Sequence, residues 1–327
     1  MKLEEFREKL NSTTVDDLPH IFIPSYMRPE FATSNLFVPG EFSDEGRKKV
    51  HVVVRPEQYE LYKKANPTLD VIPIPKSFRD PIEGLASTRQ FIFEYAADKG
   101  YDIIFDFDDD ITAINFLPEG LSAKKKIPSA KMCSKEIRNT FENMNEKILS
   151  LVAVVSREVF RDHPEVMLGN IRKQHFCQNL ENSLLKYKMN MGNTPRQTTI
   201  LNVEGLKKNG INRNEWAANP HGDDILFCAE ILAYGCTTFN IPWACYDYIS
   251  EDTQKGGSSV CRTPETEKEL HEWELARLME YPIKDYLRYT ITYPDGSYKW
   301  GDIDWNKYRK LTGAKKVKHY WDESMNQ

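Results

Sequence analysis

The sequence predicts a doubly wound α/β protein with a mostly parallel sheet, helices on both faces and a C-terminal α+β appendage. Three observations predict it. Short apolar runs rich in β-branched and aromatic residues alternate with helical segments: HIFIPSY (20–26), HVVVR (51–55), LDVIPIP (69–75) and YDIIFDF (101–107). Each run ends in Pro, polar or charged residues, which suit the ligand-facing carboxyl ends of parallel strands. A chain of 327 residues, 40% hydrophobic and 28% charged, is of ordinary globular composition and fills one large domain plus an appendage.

Residues 1–18 read as a helix, and HIFIPSY as a buried strand stopped at Pro24. After HVVVR, Pro56 opens a helix near PEQYELYKKA. A helix over roughly Leu85–Lys99 closes on Gly100 at its C-cap, and YDIIFDF then runs into Asp108-Asp109-Asp110. Residues 118–130 read as a loop and MCSKEIRNTFENMNEKILSLV (132–152) as the start of a helix, with LVAVVSR (151–157) as a further strand. Residues 162–196 show no clear period. TTILNVEGLKKNG (198–210) reads as strand, short helix and Gly turn, and HGDDILFCAEILAYG (221–235) as a helix with acids in its first turn. TTFNIPWACYDY (237–248) is a strand. From about residue 264 a charged helix leads to YTITYPDGSYKW, a hairpin with an Asp-Gly turn. The expected division is a catalytic domain over 1–264 and an appendage over 265–327.

Composition narrows the function classes. No stretch approaches the roughly 20 apolar residues needed to span a bilayer. The N-terminal MKLEEFREKLNSTTVDDL has no apolar core, so no secretory signal is expected. The six cysteines (133, 177, 228, 236, 245, 261) form no C-x-x-C pair, which argues against a zinc ribbon and suits the reducing cytoplasm. A net charge of −5 gives no bulk attraction to nucleic acid. Two basic islands stand out: Lys124-Lys125-Lys126, and the stretch holding Lys307, Arg309, Lys310, Lys315, Lys316 and Lys318. Each is either solvated surface or a local phosphate contact.

Four motifs can carry chemistry. Asp108-Asp109-Asp110 follows an apolar strand; packed together these acids repel unless a divalent cation such as Mg2+ or Mn2+ compensates. Alternate residues of an extended segment share a face, so Asp108 and Asp110 form the expected metal pair, with Asp106 as a rival ligand. On its own such a run is an ordinary solvated loop; its place at the end of the fourth strand makes it a site. In IPSYMRP (23–29), Pro24, Ser25, Tyr26 and Arg28 can cradle a nucleotide by backbone and side chain, or form a plain surface turn. In SFRDPIEGLASTRQ (77–90), Gly84 permits close backbone approach and Arg79 and Arg89 offer positive charge near a helix N-terminus, Arg89 with the alternative of a structural ion pair. In HGDD (221–224), Asp223 and Asp224 are helix-capping charges or supply a general base, and His221 stands beside them.

With those residues laid out, the chain resembles glycosyltransferases of the GT-A fold over about residues 19–250. IFIPSYMRP is similar to their opening nucleotide-binding strand and loop, GLASTRQFIFEYAADKGYDIIFDFDDDI to their arginine helix and D-x-D block, and HGDDILFCAEILAYG to their paired-acid helix. Within that class IPSYMRP, VVVRPEQYELYKK and DFDDDI most resemble the TET-associated glycosyltransferases of bacteriophages. The resemblance implies a UDP-sugar donor and a divalent metal at Asp108 and Asp110. The paired acids at 223–224 are Asp-Asp where Glu-Asp is common, which leaves the base open between Asp223 and Asp224, with Asp224 matching the second acid. Asp109, out of phase with the metal pair, faces the nucleotide or supports the loop. The resemblance implies as acceptor a hydroxymethylated pyrimidine in DNA, with location in the host cytoplasm. A third metal ligand has only His271 as candidate. A glycan, lipid or protein acceptor is the first rival, and a nucleotidyltransferase the second.

Overall fold

The computed structural model describes residues 3–75, 85–116, 141–173, 190–192, 194–211, 223–249, 284–291 and 299–312, with isolated positions between 269 and 276. Within them a nine-stranded sheet forms the centre. Its strands are β1 (His20–Pro24), β2 (Val50–Val54), β3 (Asp70–Pro73), β4 (Ile103–Phe107), β5 (Ile111–Phe116), β6 (Val166–Lys173), β7 (Asn190–Met191), β8 (Thr198–Asn202) and β9 (Thr237–Tyr248). The order is β3-β2-β1-β4-β8-β6-β9-β5, with β7 also on β9. The first four are mutually parallel. β8 opposes both β4 and β6, β9 runs parallel to β6, and β5 and β7 oppose β9. Six of the nine strands point one way, which is the mostly parallel sheet the sequence predicts.

Strand alternation assigns the two faces. Ile21, Ile23, Val50, Val52, Val54, Ile103, Phe105 and Phe107 pack into one core with α5 (Met144–Asp162) and Leu10 of α1 (Leu3–Ser12). The intervening Phe22, Val53 and Ile104 pack into the other. That second core is closed by α4 (Leu85–Lys99), α6 (Val203–Lys208) and α7 (Asp223–Ala233). Between β2 and β3, α2 (Asp44–Arg47) having come earlier, runs the short α3 (Tyr59–Ala65). Each fully buried Leu, Ile, Val or Phe contributes about 1.5–3 kcal/mol, so the alternation fixes register: a slip by one residue would exchange the two cores.

Two elements differ from the sequence reading. LVAVVSR (151–157) is the middle of the helix α5, not a strand; Val152, Val155 and Val159 recur at helical spacing and enter the first core. A run so apolar looks the same as a buried strand, and only the length of the surrounding helix separates them. The unread stretch 162–196 supplies β6, whose Gly169 lies where a Cβ would collide with the Phe239 ring.

The C-terminal strands β10 (Leu287–Ile291) and β11 (Lys299–Ile303) pair antiparallel, as the hairpin reading expects. Leu287 and Ile303 pack on Ile225, Leu226, Cys228, Ala229 and Leu232 of α7. The following α8 (Trp305–Thr312) rests on the turn before β8: Trp305 Nε1 donates to Thr194 Oγ1 at 2.8 Å. Gly192 has φ +77, and a Cβ there would lie 3.0 Å from the Trp305 ring. Gly192→Ala is therefore expected to destabilise the protein by about 1–3 kcal/mol, since the left-handed backbone and the ring both resist it. Urea unfolding of the variant checks this. The charged helix expected near 264–281 lies mostly outside the described residues, as does the domain boundary. Among the described residues no helix is long and apolar enough to cross a membrane.

Candidate active site

β4 delivers the acidic run. Asp106 follows the parity of Ile104, toward α4, and is 1% exposed. α4 places Arg89 opposite it, buried, with Nε 3.2 Å from Asp106 and the NH2 nitrogen 2.5 Å from Asp108. One guanidinium thus bridges two carboxylates, a role its planar fork suits and a lysine's point charge does not. Burial pushes the Asp108 carboxyl well above the usual carboxylate range; Arg89 opposes this, and Asp110, Asp106 and Asp109 reinforce it.

Asp109 turns the other way, to the loop after β1. Arg28 donates to its Oδ1 at 2.8 Å, and Ser25 Oγ donates to its Oδ2 at 2.6 Å. Arg28 N–H donates to Tyr62 OH, and that hydroxyl lies 2.8 Å from Ser25 Oγ. Since Ser25 Oγ–H donates to Asp109, Tyr62 O–H donates to Ser25 Oγ, and a single directed chain joins α3, the loop and the acidic run. Burial raises the Asp109 carboxyl against the pull of Ser25 and Arg28, and raises the Tyr62 phenol to about 12. Arg55, at the end of β2, stacks 4.3 Å over the Tyr26 ring. Met27 takes φ 55 and is exposed. Beside it, residues including Met27, Arg28, Glu30, Asn35, Asn66 and Ile249 border a groove of about 830 Å³.

The backbone of the run is tied down as well. Thr33 Oγ1 donates to Asp108 O and accepts from Ile111 N–H, and Ile249 N–H donates to Asp110 O. The Asp108 N–H donates to Gln197 O at 2.8 Å. The Gln197 amide nitrogen donates to both oxygens of Asp110, at 3.1 and 3.0 Å. Next to it, Arg196 Nε lies 3.1 Å from Asp224 Oδ2 at the start of α7. Asp224 Oδ1 also accepts from Ile225 N–H. The turn before β8 thus touches both ends of the site.

A family model matches residues 19–191, that is 173 of 327 positions, and its description is TET-associated glycosyltransferase. The chain belongs to the TET-associated glycosyltransferase family. It is a glycosyltransferase. No curated protein sequence matches the glycosyltransferase. Among solved structures it is similar to glucosyl-3-phosphoglycerate synthase from Mycobacterium tuberculosis in complex with Mn2+, UDP-glucose and phosphoglyceric acid. That match has 9% identity and TM-score 0.41, over 92% of this chain and 93% of the other. It is also similar to a mannosyltransferase from Pyrobaculum calidifontis in complex with GDP-mannose and Mn2+, at 13% identity and TM-score 0.38, over 86% of this chain and 69% of that one.

In the glycosyltransferase, Pro24, Ser25, Tyr26, Arg28, Arg89, Asp108, Asp109, Asp110 and Asp224 all fall at the carboxyl ends of β1 and β4 or at the elements facing them. The side chain of Asp223 and all of Arg79, Gly84, His221 and His271 lie outside the described residues. Sequence reasoning passed over Gln197, Arg196, Tyr246 and Thr33. TPRQTTI offers no signal for Gln197, because a glutamine before a strand is unremarkable until the fold sets it against an aspartate.

Proposed function

We propose that this glycosyltransferase uses a UDP-sugar with a divalent cation, Mn2+ or Mg2+, and transfers the sugar to a hydroxymethylated pyrimidine in DNA. The observation that carries the reading is the cluster of Asp106, Asp108 and Asp110 with Arg89 at the end of β4. The residues fit a hard cation. Asp108 and Asp110 offer only carboxylate oxygens, and a cation offsets both the burial and the neighbouring carboxylates that raise the Asp108 carboxyl. Among the described residues no group of three His, Cys, Asp or Glu is arranged to hold a metal by itself, so Asp108 and Asp110 would share the ion with water and the donor's phosphates. When bound, the cation offsets charge on the departing nucleoside diphosphate.

The chain's own groups divide the remaining work. Arg89 holds Asp106 and Asp108 in place and adds fixed positive charge beside the diphosphate; Arg79, outside the described residues, is the second candidate cation by sequence. The loop Pro24–Arg28, stiffened by Asp109, seats the nucleoside with Tyr26 held flat by Arg55, and Gly84, outside the described residues, is kept from the sequence as a further donor-binding position. The groove beside it is of small-molecule size. Asp224, oriented by Arg196 and followed in rank by Asp223, accepts the acceptor's proton in an inverting transfer.

The family and the basic stretch support the DNA half. α8 exposes Lys307 and Lys310 while Trp305 and Tyr308 pack inward, so that helix presents a cationic face to a phosphate backbone. We assign residues 1–264 to catalysis and 265–327 to this acceptor-facing part. The test is mass spectrometry of hydroxymethylated DNA incubated with the enzyme, Mn2+ and a panel of UDP-sugars. A hexose or pentose mass added to the modified base, falling steeply as salt rises, is the expected result. Donor hydrolysis indifferent to DNA, with no mass gain, would refute the DNA acceptor.

A further inference from the structure

Gln197 makes polar contacts in the site to which no role has yet been given. Its backbone takes φ 58, a left-handed conformation that a glutamine seldom adopts. Its amide nitrogen sits against both oxygens of Asp110, and its amide oxygen accepts from Tyr246 OH at 3.1 Å. The orientation is forced, because a carboxylate only accepts, so the NH2 must face Asp110 and the oxygen must face the tyrosine. Tyr246 OH also lies 3.2 Å from Arg196 O. Burial and the nearby Asp108 and Asp110 keep that phenol protonated and hence a donor.

We propose that Gln197 is a positioning residue that presents Asp110 to the divalent cation. The inference rests on the metal reading above. Two features favour a glutamine for this task. The amide fixes the carboxylate by two donated hydrogen bonds while bringing no positive charge to compete with a cation, unlike Arg89 on Asp108. Its backbone carbonyl meanwhile holds the Asp108 N–H, so a single residue sets the spacing of both metal carboxylates. Such supporting groups typically tune metal affinity about 10- to 100-fold.

The experiment is a Mn2+ titration of the full chain with UDP, followed by the electron paramagnetic resonance of free Mn2+, for wild type, Gln197→Ala, Gln197→Gly and Asp110→Ala. Gln197→Ala is expected to weaken Mn2+ binding about 10- to 100-fold. Gln197→Gly relieves the backbone while deleting the amide, so it should lose Mn2+ equally yet unfold at the wild-type temperature or above. A purely structural role would instead leave the glycine variant with wild-type affinity. If Asp110→Ala loses Mn2+ and both Gln197 variants keep it, the inference is wrong and the metal reading stands. If wild type binds no Mn2+ in the presence of UDP, both fall.

Discussion

Asp110→Ala and Asp108→Ala are each expected to lower sugar transfer by about 10³-fold or more, the scale of losing a group aimed at the charge that develops in the transition state. The stability change runs the other way from an ordinary core substitution. Asp110 is 4% exposed beside Asp108, Asp106 and Asp109, so its removal lightens a repulsion. The melting temperature of Asp110→Ala should stay within about 5 °C of wild type. A variant that is folded, inactive and deficient in Mn2+-dependent UDP binding supports the assignment. Turnover near the wild-type rate would sink it, and would return Asp106 as the rival ligand.

Arg89→Met is expected to cost about 3–5 kcal/mol of unfolding free energy, because it leaves Asp106 and Asp108 as buried carboxylates without their shared guanidinium. Its pH dependence is diagnostic. With the cation gone the folded-state Asp108 carboxyl, already raised by burial, titrates still further above its unfolded value, so the folded form binds more protons and gains stability as pH falls. The variant should therefore recover from pH 7 toward pH 5, and Arg89→Met with Asp106→Asn should recover part of the loss at pH 7. Denaturant unfolding at the two pH values checks both. A pH-independent loss of less than about 1 kcal/mol would mean that the pair is worth no more than a surface contact.

Much of this site could be read from sequence, for a definite reason. Period two in YDIIFDF puts Asp106 and Asp108 on the same face as Ile104, and the structure sets Arg89 on that face. Asp109, one step out of phase, meets Ser25 and Arg28 instead. Strand position and parity are local properties, so local sequence carries them. The helix across 151–157 was hidden because LVAVV is a continuous apolar run, and the polar face carried by Lys147, Arg157, Glu158 and Arg161 shows only over the full helix. β5 was missed because it starts directly after the acidic run, with no turn residue between. Gln197 and Arg196 became visible only through the antiparallel register of β4 with β8, in which Phe107 faces Thr198. That pairing joins residues some ninety apart, and nothing in either segment announces it.

α7 has a bearing on how the chain is made. Phe227 and Ile231 face the sheet, while Ile225, Leu226, Cys228, Ala229 and Leu232 face the hairpin and α8. A nascent chain that has emerged only as far as β9 holds all nine sheet strands but presents α7 as an oily helix with one side uncovered, and the hairpin that packs on that side starts only at Leu287. Folding at the ribosome would then pause with the sheet assembled and that flank sticky, a state chaperones recognise. Premature stop codons before Leu287 should for the same reason yield aggregates rather than a smaller working enzyme.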